Sequence, residues 1–294
     1  MPYVIAFILA LATTPAIAKM AGGFNSPIKD ELMVTQSGKA GTCSLGSVAI
    51  VLSTGVAALV SGDVEAIRLV ALAIPFFLIG LADDIMKIVH DSGDGFPSLV
   101  KLALQLVACA LDAYIVKGIA FQTTDVLVYY PCAILFIATT VNALNITDGL
   151  DGLAAKVSMP PVLLAAIALP SLRSGNLILL MVLAGYLVYN TGRASIFMGD
   201  GGSHFIGAFL AMDALLSLHP VAIAFSAAVI YVELLSSFIQ IVSIRCFSRK
   251  VFLIAPLHHD FEQRGYAEGK IVDTFFSVTV FTSLVSAIVF FRVV

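Results

Sequence analysis

The stretch Asn142-Ala-Leu-Asn145-Ile-Thr-Asp148-Gly-Leu-Asp151-Gly-Leu-Ala154 ends an otherwise apolar run of the chain. Its two carboxamides and two carboxylates stand where a membrane-spanning helix would reach the bilayer boundary. Polar and ionisable groups in or beside such a helix are costly, and by default they mark a substrate or ion site. Three further polar segments, residues 80–87, 190–204 and 255–265, lie beside other apolar runs. We predict that the four segments form one active site on one face of a membrane.

The composition of the whole chain is that of a polytopic membrane protein. Of its 294 residues, 60% are hydrophobic and 12% are charged, and the mean hydropathy is +1.02. A soluble domain of this length would not bury so much apolar surface. Because a span needs roughly 20 apolar residues, we predict an all-α integral membrane protein, a single domain over residues 1–294, with about ten transmembrane helices. They are predicted at residues 3–20, 43–61, 66–82, 98–116, 126–144, 156–171, 176–190, 203–217, 220–243 and 271–292.

Lysines and arginines indicate the orientation, because cytoplasmic loops carry an excess of both. With the loop after the first span placed in the cytoplasm, Arg68, Lys117, Arg173 and Arg292 fall on the outer face. The other basic residues fall on the inner face: Lys19, Lys29, Lys39, Lys87, Lys101, Lys156, Arg193, Arg245, Arg249, Lys250, Arg264 and Lys270. Both termini are then outside, and the candidate site is cytoplasmic. We expect the first span to be retained rather than cleaved as a signal peptide, since no positive charge precedes it.

Several other side chains carry weaker signals. The four cysteines are scattered, with neither metal-binding spacing nor a disulfide framework. The net charge of −3 predicts no nucleic-acid partner. Asp91-Ser-Gly-Asp94-Gly resembles a calcium loop but has glycines where oxygen ligands are needed, so a turn is predicted. Within the spans, Asp112, Asp213 and Glu233 are predicted to make helix–helix contacts or to line a groove.

The adjacent carboxylates Asp83 and Asp84 are the first candidate site residues. They repel each other and therefore need a cation, a metal ion or a proton nearby. Adjacent residues on a helix point about 100° apart, so one is predicted to face the site and the other a neighbouring element. The alternative is a solvated helix end in which Lys87 forms an intrahelical ion pair.

In the opening segment, Asn145, Asp148 and Asp151 recur every three residues. A helical path would place them on one face, together with Asn142. The glycines between them would let a ligand approach the backbone. Such a face offers hard oxygen ligands for Mg²⁺ and amide groups for a nucleotide.

The third segment contains Asn190 and then Phe197-Met-Gly-Asp200-Gly-Gly-Ser203-His204. Its glycines resemble a phosphate-binding turn, because backbone N–H groups can converge on an anion at a helix start. Asp200 is a third candidate carboxylate for a metal ion. Ser203 has an alternative role as the N-cap of the next helix.

The fourth segment places His258 and His259 in the longest predicted cytoplasmic loop, followed by Asp260 and Glu262. Paired histidines can bind phosphate oxygens or transfer a proton near neutral pH. Zinc binding is a weaker alternative, because no cysteine lies nearby and the spacing is not that of a helical pair. A solvated loop without a function is the other alternative.

Together these segments resemble the polyprenyl-phosphate N-acetylhexosamine-1-phosphate transferase family, which is glycosyltransferase family 4. The likeness extends in the same order from about residue 27 to residue 272. The adjacent aspartates, the opening segment, and Phe197-Met-Gly-Asp200 with Gly202-Ser203 are specific as a set. Lys39-Ala-Gly41-Thr42, and Lys101 with Gln105, match further family positions. Pro256-Leu-His258-His259 followed by Phe261-Glu262 favours the muramoyl branch.

The resemblance implies ten transmembrane helices and an active-site cleft on the cytoplasmic face of the bacterial inner (plasma) membrane. It also implies a reaction, the transfer of phospho-N-acetylmuramoyl-pentapeptide from a UDP-linked amino-sugar donor to undecaprenyl phosphate. UMP is released, and lipid I forms in peptidoglycan biosynthesis. The implied cofactor is Mg²⁺, with Mn²⁺ as an alternative, and homodimerisation is a further expectation. A one-step attack and a covalent two-step mechanism both stay open.

The resemblance also assigns roles to residues. Asp200 is the implied main Mg²⁺ ligand, and Asp83 and Asp84 are further catalytic and metal-binding candidates. His258 and His259 are implied to be catalytic. The implied substrate-binding residues are Lys39, Thr42, Lys87, Asn142, Asn145, Asp148, Asp151, Asn190, Phe197 and Glu262.

Several residues depart from the family pattern, among them Cys43 and Ser44 where proline and threonine are usual, and four others bear on the identity of the donor sugar. Gln36 and Asp260 stand where histidines are expected, His204 replaces a leucine, and Arg193 replaces a proline. They keep open a paralogue that transfers another N-acetylhexosamine-1-phosphate, such as GlcNAc-1-phosphate, for a different cell-surface glycan. A transporter or an inactive lipid- or nucleotide-binding protein is the alternative of another class. Transporters concentrate polar residues near the bilayer midplane in repeated halves, whereas this chain is predicted to place them on one face.

Overall fold

The computed structural model describes residues 1–21, 41–90 and 95–292, and these are almost entirely helical. Long apolar segments form helices in lipid because every backbone N–H and C=O group must be bonded within the segment. The helices are α1 (Pro2–Met20), α2 (Gly46–Ser61), α3 (Val64–Val89), α4 (Ser98–Ile119), α5 (Val126–Thr147), α6 (Leu153–Ala168), α7 (Arg173–Asn190), α8 (Gly199–Leu216), α9 (Pro220–Ser226), α10 (Ala228–Phe247), α11 (Leu257–Gln263) and α12 (Glu268–Ser286), with a π-helical turn at Ala287–Phe291. Within the described ranges there is no β-strand.

Six of these helices are long and apolar enough to cross a membrane: α1, α3, α4, α5, α10, and α12 with its π-helical turn. Helices α2 and α6 are apolar but shorter, at 16 residues each. The protein is therefore a helical, multi-pass membrane protein, as predicted. Each of the ten predicted segments overlaps a helix, although residues 43–45 and 169–171 lie outside α2 and α6.

The helix predicted at 220–243 is interrupted, which corrects the sequence-based boundary. Helix α9 ends at Ser226, and α10 begins at Ala228. The backbone carbonyl of Ser226, released by the break, accepts hydrogen bonds from the hydroxyls of Thr282 (2.9 Å) and Ser283 (3.4 Å) on α12. The break is tolerated in an apolar environment because a neighbouring helix supplies these donors.

Helix α8 lies at the centre of the bundle, and every residue from Gly201 to Leu215 is buried. Glycines let its neighbours approach closely. A Cβ at Gly80 of α3 would lie 2.6 Å from the backbone N of Gly201, and a Cβ at Gly207 would lie 2.8 Å from Cα of Val141 on α5. These two crossings place the ends of α3 and α5 beside the start of α8, where the candidate site residues lie.

Candidate active site

The start of α8 is held by a carboxylate of α3. Asp84 accepts the backbone N–H groups of Asp200 through Oδ1 and of Gly201 through Oδ2, both at 3.0 Å. The first N–H groups of a helix have no intrahelical partner and lie at the positive end of its dipole. The anion at the predicted phosphate-binding turn is therefore Asp84 itself. Ser203 is also not the N-cap, because α8 begins at Gly199.

Asp83 points away from Asp84, which confirms that the two carboxylates face different elements. It accepts the backbone N–H of Phe96 at 2.6 Å. Lys87 Nζ lies 2.8 Å and Lys101 Nζ lies 3.4 Å from Asp83 Oδ2. Lys87 thus forms the predicted intrahelical ion pair, but the helix end is not solvated, since the side chains of Lys87 and Asp83 are only 19% and 3% exposed.

Asp200 lies opposite Asp83 and shares both lysines with it. Lys87 Nζ is 2.9 Å from Asp200 Oδ2, and Lys101 Nζ contacts the same oxygen. Asn145, at the end of α5, donates from Nδ2 to Asp200 Oδ1 at 3.0 Å. The arrangement alternates two ammonium groups with two carboxylates, so a bound anion and a bound cation would both meet groups of opposite charge here.

These groups line one cavity of about 830 Å³ between α3, α4, α5 and α8. This volume lies within the range of small-molecule sites, roughly 300–1,000 Å³. Its lining residues are Asp83, Lys87, Gly95, Phe96, Pro97, Ser98, Lys101, Leu102, Gln105, Asn142, Asn145 and Asp200. The cavity therefore brings together five residues predicted for the site, namely Asp83, Lys87, Asn142, Asn145 and Asp200.

The carboxylates of this cavity suit a Mg²⁺ ion that substrate phosphates and water also help to bind. Across the described ranges, no group of three His, Cys, Asp or Glu side chains is arranged to hold a metal ion. Mg²⁺ is commonly bound by one or two carboxylates together with substrate phosphates and water. Asp83 and Asp200, which both contact the Lys101 ammonium, are the two carboxylates that could act as such a pair of oxygen ligands. Asp84 is less suitable, because its two oxygens accept α8 backbone N–H groups.

The opening segment does not follow a helical path throughout, which corrects the predicted stripe. Helix α5 ends at Thr147, and Asp148 is its C-cap. Gly152, with φ of 76°, precedes α6. A positive φ of this kind interrupts a helix and is adopted readily by glycine. Asn142 and Asn145 consequently share the cavity, whereas Asp148 and Asp151 lie in the turn between α5 and α6.

Asp151 ties this turn to other parts of the chain. Its Oδ2 accepts the backbone N–H of Ala194 at 2.9 Å, and its own N–H donates to Glu268 Oε1 at 2.6 Å. It does not line the 830 Å³ cavity. Its predicted substrate contact, like that of Asp148, stays a prediction.

Asn190 also connects backbone segments. Its Oδ1 accepts the N–H of Gly152 at 3.0 Å, and its Nδ2 donates to the carbonyl of Ile196 at 2.8 Å. The neighbouring Phe197 is anchored through its backbone, which bonds to Cys43 (2.7 Å) and Gly46 (2.9 Å). Its ring remains half-buried.

Two predicted positions in the N-terminal part receive less support from contacts. Thr42 is half-buried just before α2. Lys39 lies outside the described residues, and so does Gln36, which departs from the family pattern. Asp91-Ser-Gly-Asp94 lies outside them too.

The paired histidines lie on the short helix α11 and contact acidic partners. His258 Nδ1 donates to Glu233 Oε2 at 2.9 Å, and His259 Nδ1 lies 3.0 Å from Glu262 Oε2. Burial lowers the pKa of the His258 imidazole, although its hydrogen bond to Glu233 acts in the opposite direction. A Cβ at Gly149 would lie 3.0 Å from His258 Cε1. His258 therefore packs directly on the turn that follows α5, which joins the histidines to the opening segment.

Helix α10 supplies site residues that the sequence analysis did not identify. Its Glu233 binds His258, its Ser236 Oγ accepts the Leu257 N–H at 3.2 Å, and its Gln240 accepts the Phe252 N–H at 3.0 Å. The spacing of three and four residues places these polar side chains on one helical face. That periodicity was the signal available in the sequence.

Three further polar residues near the cavity were noted in the sequence analysis without a role in the site. Lys101 and Gln105, which match family positions and lie one turn apart on α4, line the cavity, and His204 of α8, a departure from the family pattern, contacts Gln105. By contrast, Asp213 makes the predicted helix–helix contact, accepting from Asn176 Nδ2 at 2.7 Å.

Comparisons with known proteins identify relatives of the chain along most of its length. The sequence profile of glycosyl transferase family 4 matches residues 66–218. The chain is 32% identical to the phospho-N-acetylmuramoyl-pentapeptide-transferase of Clostridium botulinum (strain Alaska E43 / Type E3), over 98% of this chain and 94% of the relative. The proteins of the same name from Clostridium acetobutylicum and Caldanaerobacter subterraneus subsp. tengcongensis are 32% and 31% identical, each over 90% of this chain and 89% of the relative. The chain therefore belongs to glycosyl transferase family 4.

Proposed function

We propose that the protein transfers phospho-N-acetylmuramoyl-pentapeptide from its UDP-linked donor to undecaprenyl phosphate in peptidoglycan biosynthesis. The observation that carries the proposal is its similarity to phospho-N-acetylmuramoyl-pentapeptide-transferases along nearly the whole chain. The protein is accordingly a sugar-phosphate transferase. The cavity between α3, α4, α5 and α8 supports the proposal, because its two lysines suit a phosphate-bearing substrate.

In the proposed reaction, an oxygen of the lipid phosphate attacks the phosphorus that carries the sugar. One P–O bond forms at this phosphorus, and its bond to the bridging oxygen of the diphosphate breaks. UMP leaves with that oxygen and its electron pair. Phosphoryl transfer of this kind depends on alignment and charge neutralisation.

The side chains of the cavity have distinct roles in this proposal. Lys87 and Lys101 bind phosphate oxygens of the two substrates, since each lies between Asp83 and Asp200 and is held in place by them. Asn145 orients the Asp200 carboxylate through its hydrogen bond of 3.0 Å. Asp83 faces the cavity and accepts a proton from the lipid phosphate where that phosphate is protonated.

Direct attack by the lipid phosphate agrees better with these contacts than a covalent aspartyl intermediate. Both oxygens of Asp84 accept backbone N–H groups of α8. Asp83 is held by the Phe96 N–H at 2.6 Å and by Lys87 at 2.8 Å. A carboxylate engaged in this way is a weak nucleophile, so we assign Asp84 to the positioning of α8 and Asp83 to proton transfer.

Mg²⁺, with Mn²⁺ as the alternative, would be held by Asp200 together with Asp83. When bound, it neutralises negative charge on phosphate oxygens. Asp200 is the better placed of the two, because Asn145 and Ser203 fix its surroundings: Asn145 Nδ2 donates to both Asp200 Oδ1 and Ser203 Oγ at 3.0 Å. The histidine pair on α11 is proposed to meet the sugar or the diphosphate beyond the turn at Gly149.

We place this site on the cytoplasmic face of the bacterial inner membrane, in a bundle that crosses it ten times. Helices α9 and α10 together make one of these crossings. The excess of lysine and arginine at the same ends of the helices as the cavity supports this orientation. Homodimerisation stays a prediction.

A second candidate function is transfer of a simpler N-acetylhexosamine-1-phosphate, such as GlcNAc-1-phosphate. Asp260 favours it, because this residue stands where the family pattern has a third histidine. Its Oδ1 accepts the Leu253 N–H at 2.8 Å, and its Oδ2 binds Arg264 Nε at 2.6 Å. Because both carboxylate oxygens of Asp260 are bonded to neighbouring residues of the chain, this side chain is not oriented to bind a sugar.

The test is UMP release by the purified protein with undecaprenyl phosphate and Mg²⁺, offering UDP-MurNAc-pentapeptide and UDP-GlcNAc separately. Turnover of the muramoyl donor alone, abolished in Asp200→Asn and by EDTA, is the expected result. Turnover of UDP-GlcNAc alone would support the second candidate. No turnover with either donor, in a protein that still binds UDP, would contradict both and favour an inactive binding protein.

A further inference from the structure

His204 lies one helical turn after Asp200 and is fully buried in α8. Its Nδ1 is 2.6 Å from the backbone carbonyl oxygen of Asp200. Its Nε2 is 2.7 Å from Nε2 of Gln105 on α4. The leucine of the family pattern has neither of these polar atoms, so this chain has a connection between α8 and α4 that the pattern does not predict.

The direction of each hydrogen bond follows from its partners. A carbonyl oxygen only accepts, so the proton on His204 lies at Nδ1, and the neutral ring accepts at Nε2. The amide nitrogen of Gln105 donates to it, which turns the amide oxygen of Gln105 toward Asn142. Asn142 Nδ2 donates to that oxygen at 3.0 Å and to the carbonyl of Ala138 at 2.8 Å. Backbone carbonyls at both ends therefore determine the orientation of both amides.

Both amides line the cavity, and the chain of hydrogen bonds joins three helices. Helix α8 carries Asp200, α4 carries Lys101, and α5 carries Asn142. If His204 did not accept from Gln105, the Gln105 amide could rotate, and Asn142 would lose a defined partner. The groups that a substrate meets in the cavity would then be presented in more than one orientation.

We propose that His204 is a positioning residue of this active site, which sets the orientation of the Gln105 and Asn142 amides and the placement of Lys101 against Asp200. The inference rests on the proposed transfer reaction, in which these cavity groups meet the phosphates. His204 itself touches no substrate. It acts through Gln105, whose amide exchanges hydrogen bonds with the Asn142 amide: Gln105 Nε2 donates to Asn142 Oδ1 at 3.4 Å, and Asn142 Nδ2 donates to Gln105 Oε1 at 3.0 Å. The substrate therefore meets the two amides in one fixed orientation.

Three substitutions separate the two hydrogen bonds of His204. His204→Leu removes both. His204→Asn keeps a donor near the position of Nδ1 but is too short to reach Gln105. His204→Gln extends far enough to accept from Gln105 through its amide oxygen. We expect kcat/KM to fall about 10- to 100-fold in the leucine and asparagine variants. This is the range for residues that orient the ligand-contacting groups through hydrogen bonds without contacting the ligand themselves. The glutamine variant should recover most of the wild-type value.

A double-mutant cycle with Gln105→Leu tests whether His204 acts through Gln105. The double variant His204→Leu/Gln105→Leu should be no worse than the poorer single variant by more than about twofold. Met212→Leu is the matched control, because Met212 is as buried in the same helix and does not line the cavity. It should keep its activity and its apparent Tm. The proposal would be overturned if the decreases in kcat/KM of the two single variants multiplied in the double variant. It would also be overturned if His204→Gln did not recover activity.

A readout that does not depend on turnover separates this inference from the proposed function. ¹⁵N NMR of histidine-labelled protein in nanodiscs should show a His204 ring protonated at Nδ1 and not at Nε2, and Gln105→Leu should shift its Nε2 signal. This result in a protein without turnover would leave the positioning intact and contradict the transfer reaction. Turnover with the opposite tautomer would contradict the positioning alone.

Discussion

Asp84 binds the backbone N–H of Gly201 at 3.0 Å, and with its other oxygen it binds the preceding N–H at the same distance. One buried carboxylate of α3 thus satisfies two N–H groups that α8 leaves without partners at its start. Because α8 also carries Asp200, the position of the proposed metal ligand depends on this contact between helices. Asp84 therefore bears on both stability and catalysis without facing the cavity.

We expect Asp84→Asn to lower the apparent Tm and the activity together. The amide places an N–H group against a backbone N–H, and a buried donor without an acceptor costs about 1–3 kcal/mol. Asp63→Asn is the matched control, because Asp63 caps α3 by accepting only the Ala66 N–H through Oδ1, at 3.0 Å. Asparagine caps helices as well as aspartate does, so this control should behave as the wild type. Equal effects of the two substitutions in thermal unfolding would contradict the role given to Asp84.

Gly149→Ala should destabilise the protein through a clash with His258. The new Cβ would come within 3.1 Å of both Cε1 and Cδ2 of the imidazole and still closer to Nε2. Overpacking a tight site typically costs about 1–3 kcal/mol. Adding His258→Ala should relieve the clash, so the double variant should be more stable than the sum of the single losses. Thermal unfolding in detergent measures this.

Gly55→Ala provides the control for this glycine, because nothing lies within 4 Å of its Cβ position in α2. Alanine favours a helix interior over glycine by about 1 kcal/mol. This variant should therefore unfold at the same temperature as the wild type or higher. If Gly149→Ala behaved in the same way, His258 would not pack on the turn as described.

Local periodicity in the sequence was sufficient to predict which residues lie on helices and which way some of them face. The 100° rotation between neighbours on a helix correctly separated Asp83 from Asp84. The three-residue spacing held for Asn142 and Asn145 but failed after them, because α5 ends at Thr147 and Gly152, with a positive φ, precedes the next helix. Periodicity describes a continuous helix and does not show where that helix ends.

Contacts between distant helices could not be read from the sequence in this way. Glu233 and His258 are 25 residues apart, and their pairing depends on how α11 packs against α10. The capping of α8 by Asp84 depends likewise on the close crossing at Gly80. In both cases the polar residue was conspicuous in an apolar run, and its partner became identifiable only from the packing.

Replacing Lys87 with glutamine should reduce kcat/KM by about 10²- to 10³-fold, the loss typical when one charge-stabilising donor is removed from an active site. Lys87 contacts Asp83 at 2.8 Å and Asp200 at 2.9 Å, so its loss leaves both carboxylates less neutralised as well. Lys156→Gln is the control. Lys156 pairs with the exposed Asp273 at 2.9 Å, and such surface pairs contribute about 0–1 kcal/mol. Initial rates of UMP release by both variants, measured at donor concentrations well below KM, test the difference.

The stability of the protein should fall on acidification partly because of His258. Burial holds the pKa of this imidazole below its usual value, whereas in the unfolded chain it titrates at about pH 6.5. Below that pH the unfolded state binds more protons here than the folded state. The contribution of His258 to the free energy of unfolding is therefore complete above about pH 6.5 and is lost as the pH falls toward the pKa of the folded state.

The test compares the wild type with His258→Asn, which keeps a hydrogen-bond donor for Glu233 but does not titrate. Between about pH 7.5 and about pH 5, the apparent Tm of the wild type should fall further than that of this variant. Parallel curves for the two proteins would show that His258 does not have to be neutral in the folded state.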